Sequence, residues 1–515
     1  MEYCWRLGSH AERKETVMVG AAPLLENLLE QVLTECGREA ALESERSLRD
    51  LCRPSVTPGV GDLDGAADRL RSVPTQTIRE VVQILTMRFH LRNKAEQLEI
   101  ASINRDRERR ATSETPRAES IAEAVARLAE SGGTLESIAA TLEKLEIAPT
   151  LTAHPTEARR RAVLRKQGIL AASLDRLEDP RLTPTEQASE TDALKRTLVE
   201  LTMTDEVRTE RLDAMDEVRN GLHFLTGTIW GVAPRLYLDL DRAVRSTFGV
   251  DAKLDAPTML RYRSWIGGDR DGNPRVTAEV TRSAIKAHRE AAIELYLEAL
   301  ETLRQHLSVS DRRRPPSQAL LDAIEAGGDI DEDRHTRHEP YRRRIAQIAD
   351  LVAASLHRPE VYDCQRFVAD LELLADSLRG SGLSRLADGG PLRALLVRAR
   401  TFGFNLAALD LRQHSEVLGA AVAELLQAAG VCDNYVALDE AARLELLRAE
   451  LRTSRPLTPH GAEFSEATAS VLDTFRVARD AIEHEPRSIG TFIVSMTHEI
   501  SHVLEPLLLA REFGL

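Results

Sequence analysis

Aromatic side chains are scarce in this sequence: Phe, Trp and Tyr together make up 4% of it, although 43% of the residues are hydrophobic. β-Branched residues are also sparse beside abundant Ala, Leu, Glu and Arg. That balance disfavours a sheet-rich architecture and points to a mostly helical protein. Lysine is nearly missing, with seven in 515 residues and the last at Lys286, so every cation beyond that point is Arg or His. The five cysteines, Cys4, Cys36, Cys52, Cys364 and Cys432, form no C-x-x-C pair and no metal-type spacing. They read as free thiols in a reducing compartment. No apolar run approaches the length of a membrane span. The opening MEYCWRLGSHAERKET lacks a signal-peptide core, and Met18 is a second candidate start because the helical pattern begins at about Ala22. A soluble, cytoplasmic protein is the expectation. An excess of positive charge is lacking too: 68 Lys+Arg against 82 Asp+Glu give a net charge of −14. This argues against a duplex-binding protein, yet leaves room for a local positive pocket that takes an anionic metabolite.

The length suits two to four domains, or one large domain with insertions. Residues 1–20 read as an N-terminal extension and 21–147 as a helical region. In the latter, TIREVVQILTMRFHLRNKAEQLEIASI has apolar residues at helical spacing from Ile78 onward. The charged stretch Arg105–Ser120 is expected to be a mobile loop, followed by a helix pair that runs to Glu146. In 148–515 four short segments break the helical pattern: 148–157, 259–274, 402–415 and 489–499. Each has a brief apolar or β-prone run, then polar, Gly, His or Arg residues, then a long helix. The repeat is that of a β/α barrel, whose functional groups sit at the C-terminal ends of the strands. The helical stretches between the strands are long enough to require large helical insertions. One of these, 310–344, reads as an exposed or partly disordered excursion.

Four motifs carry chemistry. In LTAHPTEARRRAVL (151–164), His154 follows a short strand, Thr156 suits an N-cap and Glu157 the first helical turn. Arg159, Arg160 and Arg161 bring cations near the imidazole, which suits a phosphorylated substrate. The alternative is a surface Arg run with an incidental His. In SWIGGDRDGNPRVT (264–277), Trp265 precedes Gly267, Gly268 and Gly272, which allow a tight turn, and Asp269, Arg270, Asp271 and Asn273 follow. Internal ion pairs among Asp269, Arg270 and Asp271 are expected. A calcium loop is excluded because Pro274 and Val280 stand where Gly and Glu are needed. A structured turn supporting a site is the preferred reading. In LDLRQHS (409–415), Arg412 closes an apolar strand. It needs an anion there, either an internal carboxylate or a substrate phosphate. The fourth motif, HEISH (498–502), matches the H-E-x-x-H zinc pattern. It begins where a strand ends, and only thirteen residues follow His502 although a third ligand usually lies well downstream, so the zinc-protease reading is disfavoured and no metal site is assigned.

Taken together, TAHPTE with its Arg residues, SWIGGDRDGNPRVT, TFG through LDLRQ, and FIVSM with SHVLEPLLLAREFGL resemble the phosphoenolpyruvate carboxylase family. FHLRNKAEQ (89–97) and DEVRNGLHFLTGTIWGVAP (216–234) match more weakly. The resemblance runs from about residue 23 to the last residue. It implies a mostly α protein on a β/α barrel core, present as about half of a (β/α)8 barrel with large helical insertions in 148–515. It implies a carbon–carbon lyase joining bicarbonate to phosphoenolpyruvate with Mg2+ or Mn2+, through carboxyphosphate and a pyruvate enolate. His154 matches the essential histidine, and Arg412 an arginine that grips substrate phosphate, with Arg160 and Arg161 beside the substrate. A homotetramer is implied. Ala408 stands where relatives often have a second basic residue, and His414 replaces a common Glu. Ile500 and His502 replace a common Pro and Asp, so HEISH arises by substitution within a family segment. The family's metal carboxylates, catalytic lysine and glycine-rich loop are expected in a C-terminal half beyond these residues. The expectation is an N-terminal portion, truncated or split, without activity alone. A split enzyme would pair with a C-terminal half; the alternative is a helical binding or regulatory protein derived from the enzyme, binding phosphoenolpyruvate weakly or pairing with an intact subunit.

Overall fold

A computed structural model describes residues 20–52, 62–153, 160–205, 213–254, 257–328 and 336–515. The described residues are mostly helical with one small parallel sheet. The chain divides into two compact units, Met1–Thr112 with Ala158–Glu210, and Ser113–Glu157 with Arg211–Leu515.

In the first unit the helices Ala21–Glu35, Thr75–Arg110, Arg161–Leu177 and Pro184–Thr202 share a core of Leu25, Leu29, Val32, Ile84, Met87, Leu170, Leu194 and Leu198. Local signals fix the ends. Thr183 and Glu186 form a reciprocal capping box with Pro184 in the first turn, which satisfies backbone donors that the helix itself leaves open. The loop expected from Arg105 starts later than its charge pattern indicates, because the helix continues to Arg110. Arg105 Nη1 reaches Asp175 Oδ1 at 2.7 Å, and Arg109 pairs with Asp106 one turn earlier at 2.9 Å. Cations in a last turn are also favoured by the helix dipole.

The second unit holds the sheet. Its strands are β1 (Thr150–Leu151), β2 (Arg263–Ser264), β3 (Ala408–His414) and β4 (Ile489–Ser495), all parallel and in chain order. They fall within the four segments that break the helical pattern. Leu409 and Leu411 alternate along β3 and bury against Val218, Ile266, Ala284 and Ala478. The few aromatics are concentrated rather than dispersed. Trp230, Tyr296, Phe367, Phe402 and Phe404 meet ring to ring in one core at centroid distances of 5.0–5.7 Å. Tyr296 keeps its hydroxyl satisfied there by donating to Gly403 O at 2.7 Å. The supposed excursion 310–344 contributes to this core: helix Gln318–Ala326 buries Leu320 and Ile324, and Tyr341 is fully buried. Its high Arg content hid those anchors; residues 329–335 lie outside the described set.

Candidate functional site

All four strands point their C-terminal ends the same way, so the described residues that directly follow β2, β3 and β4 lie at one end of the sheet. The turn after β2 is shaped by close backbone approach. Gly268 lies so near β3 that a Cβ would come within 2.1 Å of Asp410 O, and Gly267 adopts φ +92°. Gly268 O accepts Arg412 N, and Arg412 O accepts Arg270 N, both at 3.0 Å. The turn is therefore laced to β3 by its backbone.

This lacing puts Arg412 among three members of the turn. Its Nε donates to Asp269 Oδ1 at 2.8 Å and its Nη2 to Asp271 Oδ2 at 2.9 Å. Its guanidinium lies over the Trp265 ring, 5.1 Å from the centroid. The ion pairs expected inside the Asp-Arg-Asp triplet thus go outward, from the two aspartates to Arg412. Arg270 instead turns inward, donating to Gly268 O at 3.1 Å and Thr281 Oγ1 at 2.7 Å. Burial lowers its pKa to about 10. Asn273 serves the turn: its Oδ1 accepts Arg275 N at 3.1 Å. Nearby Glu217 is raised by burial, with a hydrogen bond to Asn273 opposing the shift.

The sequence reading missed Asp410. Buried on β3, it accepts Trp265 Nε1 at 3.2 Å and Thr491 N at 2.8 Å, and Arg263 lies 3.5 Å away. It holds the indole on which Arg412 rests. The signal was a charged residue between two leucines of an apolar strand.

The remaining candidates are placed as follows. His154 lies outside the described residues. Arg160 and Arg161 belong to the first unit, where Arg161 opens a helix and Arg160 Nη1 donates to Asp205 O at 3.3 Å. His414 caps the helix after β3, its Nδ1 accepting Glu416 N at 3.2 Å. In HEISH, His498 and Glu499 precede the helix Ser501–Glu512, and His498 N donates to His502 Nδ1 at 3.3 Å. The two imidazoles therefore do not face one site from successive helical turns.

A divalent metal does not fit the described carboxylates. Asp269 and Asp271 face a guanidinium, Asp410 is filled by N–H donors, and no group of three or more His, Cys, Asp or Glu among the described residues could hold a metal. Among the same residues no helix is long and apolar enough to cross a membrane.

Comparison with known proteins finds relatives along most of the chain. The phosphoenolpyruvate carboxylase family profile matches residues 20–515. The chain is 45% identical over 506 residues to a phosphoenolpyruvate carboxylase of Rhodothermus marinus, covering 96% of this chain and 54% of that protein. It is 36% identical to the enzyme so named in Roseiflexus castenholzii, covering 98% and 56%. With the Thermus thermophilus protein of that name the identity is 37%, covering 87% and 48%. The chain thus spans about half the length of these relatives. It belongs to the phosphoenolpyruvate carboxylase family.

Proposed function

We propose that this chain carries the histidine-and-arginine part of a cytoplasmic phosphoenolpyruvate carboxylase, which converts phosphoenolpyruvate and bicarbonate to oxaloacetate and phosphate. The observation that supports it most is Arg412: a guanidinium at the end of a parallel strand, stacked on Trp265 and fixed through Nε. A planar donor held in that way suits a phosphate, because it binds oxygens in pairs without first being ordered. His154, in the segment after β1, acts as the base and holds the carboxyphosphate. Arg160 and Arg161 add positive charge for the two anions. The turn from Trp265 to Asn273 positions Arg412 and does no chemistry itself.

The strands β1–β4 form the first part of a (β/α)8 barrel, closed in the working enzyme by family residues outside this span. The enzyme is a homotetramer. Bound Mg2+ or Mn2+ would supply charge stabilisation for the enolate, with ligands in that other part. We assign it none of the residues described above. The 515 residues alone are expected to give no bicarbonate-dependent turnover; substantial magnesium-dependent oxaloacetate formation by them would refute this.

The direct test uses an enzyme of full family length that contains this chain. His154→Asn should abolish oxaloacetate formation while circular dichroism stays unchanged; near-normal turnover would remove His154 from the chemistry. Arg412→Lys should raise the KM for phosphoenolpyruvate by roughly ten-fold, since a point charge replaces a planar bidentate donor. Unchanged kcat and KM would reduce Arg412 to a member of an internal ion pair.

A further inference from the structure

Arg412 meets two carboxylates, and the two are not equivalent. Asp269 is built into the fold: its Oδ1 accepts Gly272 N at 2.9 Å as well as Arg412 Nε at 2.8 Å, and its backbone pairs with that of Arg412 in an isolated parallel bridge. Asp271 has no such tie. Among the described residues its carboxylate makes one ion pair, to Arg412 Nη2 at 2.9 Å. Both aspartates and the arginine are partly exposed, so the cluster is open to solutes.

Resting on the reading of Arg412 as a phosphate grip, we propose that Asp271 is an exchangeable internal counter-ion. It occupies the guanidinium in the empty site, leaves when a phosphate-bearing anion arrives, and returns as that anion departs. Three features support the exchange. Asp269 keeps Nε, and Trp265 keeps the guanidinium plane, so the cation stays in place when Nη2 changes partner. A phosphate approaching an arginine already flanked by two carboxylates meets like charge, and releasing Asp271 lowers that repulsion. The group to be released sits in the solvent-facing part of a turn, held by one contact that the incoming anion replaces in kind. The site would thereby sacrifice affinity for anions in return for easy release of them.

The test is calorimetric titration of inorganic phosphate into the 515-residue chain at low ionic strength. Asp271→Asn should tighten binding by roughly two- to five-fold, the size expected for removing one partly exposed charge contact. Asp269→Asn should weaken it, because Arg412 loses its anchor. Asp271→Ser, which removes the same charge with a different shape, must change affinity in the same direction as Asp271→Asn. If both charge-removing variants bind phosphate no better than wild type while Arg412→Gln abolishes binding, the exchange is wrong and the phosphate grip stands. If Arg412→Gln binds as well as wild type, the grip itself is wrong. Absence of binding by wild type, Asp271→Asn and Asp271→Ser alike at tens of millimolar phosphate would overturn the exchange, leaving the grip to the whole-enzyme KM measurement.

Discussion

Arg88 and Arg412 each meet two carboxylates, and they do different things. In the helical unit, Arg88 Nη2 reaches Glu30 Oε1 at 2.7 Å and its Nε lies 3.3 Å from Glu45 Oε1. The Arg88 side chain is 8% exposed and that of Glu45 is 0%, whereas the Arg412 side chain is 23% exposed. Burial pushes the Glu30 carboxyl up, and hydrogen bonds from Arg88 and Arg46 outweigh it, so its pKa ends below the ordinary value. The Arg88–Glu45 pair is buried between helices, with Glu30 at its partly exposed edge, and buried ions must neutralise one another because water cannot. The Arg412 cluster sits at a strand end with an open flank, where an outside anion can compete. Residue types are nearly the same in both. What differs is whether the backbone carrying the arginine ends in a core or at the rim of a sheet.

The largest effect expected from this contrast is at Arg88. Arg88→Ala leaves the fully buried Glu45 only the more distant Arg49, 3.8 Å away, and the helical unit should lose about 3 kcal/mol. Hydrogen exchange along Thr75–Arg110 would read this locally. Replacing both members, Arg88→Met with Glu45→Met, should restore most of the loss, since no buried charge is then stranded. A single variant with unchanged exchange rates would show that the buried cluster is no more structural than the open one.

Stability at the strand end should reside in backbone packing instead of ions. A Cβ on Gly268 would press within 2.1 Å of Asp410 O, a backbone atom that cannot rotate away. Gly268→Ala is therefore expected to destabilise the unit by about 1–3 kcal/mol and to disturb Arg412 through the displaced turn. Thermal unfolding of the variant indistinguishable from wild type would mean that the turn and β3 can separate without loss.

The contrast also marks how much could be read from residues alone. The strand-end residues of the second unit were legible because strand, glycine-rich turn and helix leave a local signature: SWIGGD and LDLRQ each break a 3.6-residue pattern. The partners were not. Nothing local tells Asp269 to reach a residue on β3 rather than its neighbour Arg270, and Asp410 looked like one more acidic residue until the sheet register placed it under Trp265. The buried role of Arg88 was equally hidden, since its helix is rich in charge throughout and its partners come from two other helices. The Arg-rich stretch 310–344 misled in the opposite direction, because its anchors Leu320, Ile324 and Tyr341 are thinly spread. Composition reports average polarity; burial follows individual side chains.

A third buried carboxylate, this one without an ion-pair partner among the described residues, sharpens the comparison. Glu505 is 1% exposed, and Tyr435 Oη donates to its Oε1 at 3.0 Å. Burial pushes its pKa up to about 7, against the Tyr435 hydrogen bond and the charge of Arg443, with Glu440 adding to the rise. A carboxyl raised in the folded state holds its proton where the unfolded chain has lost it. Its contribution to stability is fully present below the ordinary carboxyl pKa of about 4.3 and is lost as pH rises through about 7. Glu505→Gln should flatten that part of the profile, gaining about 1–2 kcal/mol over wild type at pH 8 and little at pH 4. Parallel stability curves for the two proteins between pH 4 and 8 would show that this carboxyl does not titrate in that window.

The smallest stability effect is expected where function is expected to be most sensitive. Arg412→Ala removes two charge-assisted hydrogen bonds and the contact with Trp265. It strands two aspartates, yet both are partly exposed, and water and salt can solvate them once the guanidinium is gone. Asp269 keeps its hydrogen bond from Gly272 N, and the backbone pairing between the turn and β3 does not involve the lost side chain. The expected loss is therefore below about 1 kcal/mol, with part of it disappearing in high salt as the two aspartates stop repelling each other. Thermal melts of Arg412→Ala at low and high ionic strength, set beside those of Arg88→Ala, measure the contrast directly. A loss at Arg412 as large as that at Arg88 would make the strand-end cluster a structural ion pair, and the reason for placing an arginine at the end of β3 would have to be sought in the fold rather than in a ligand.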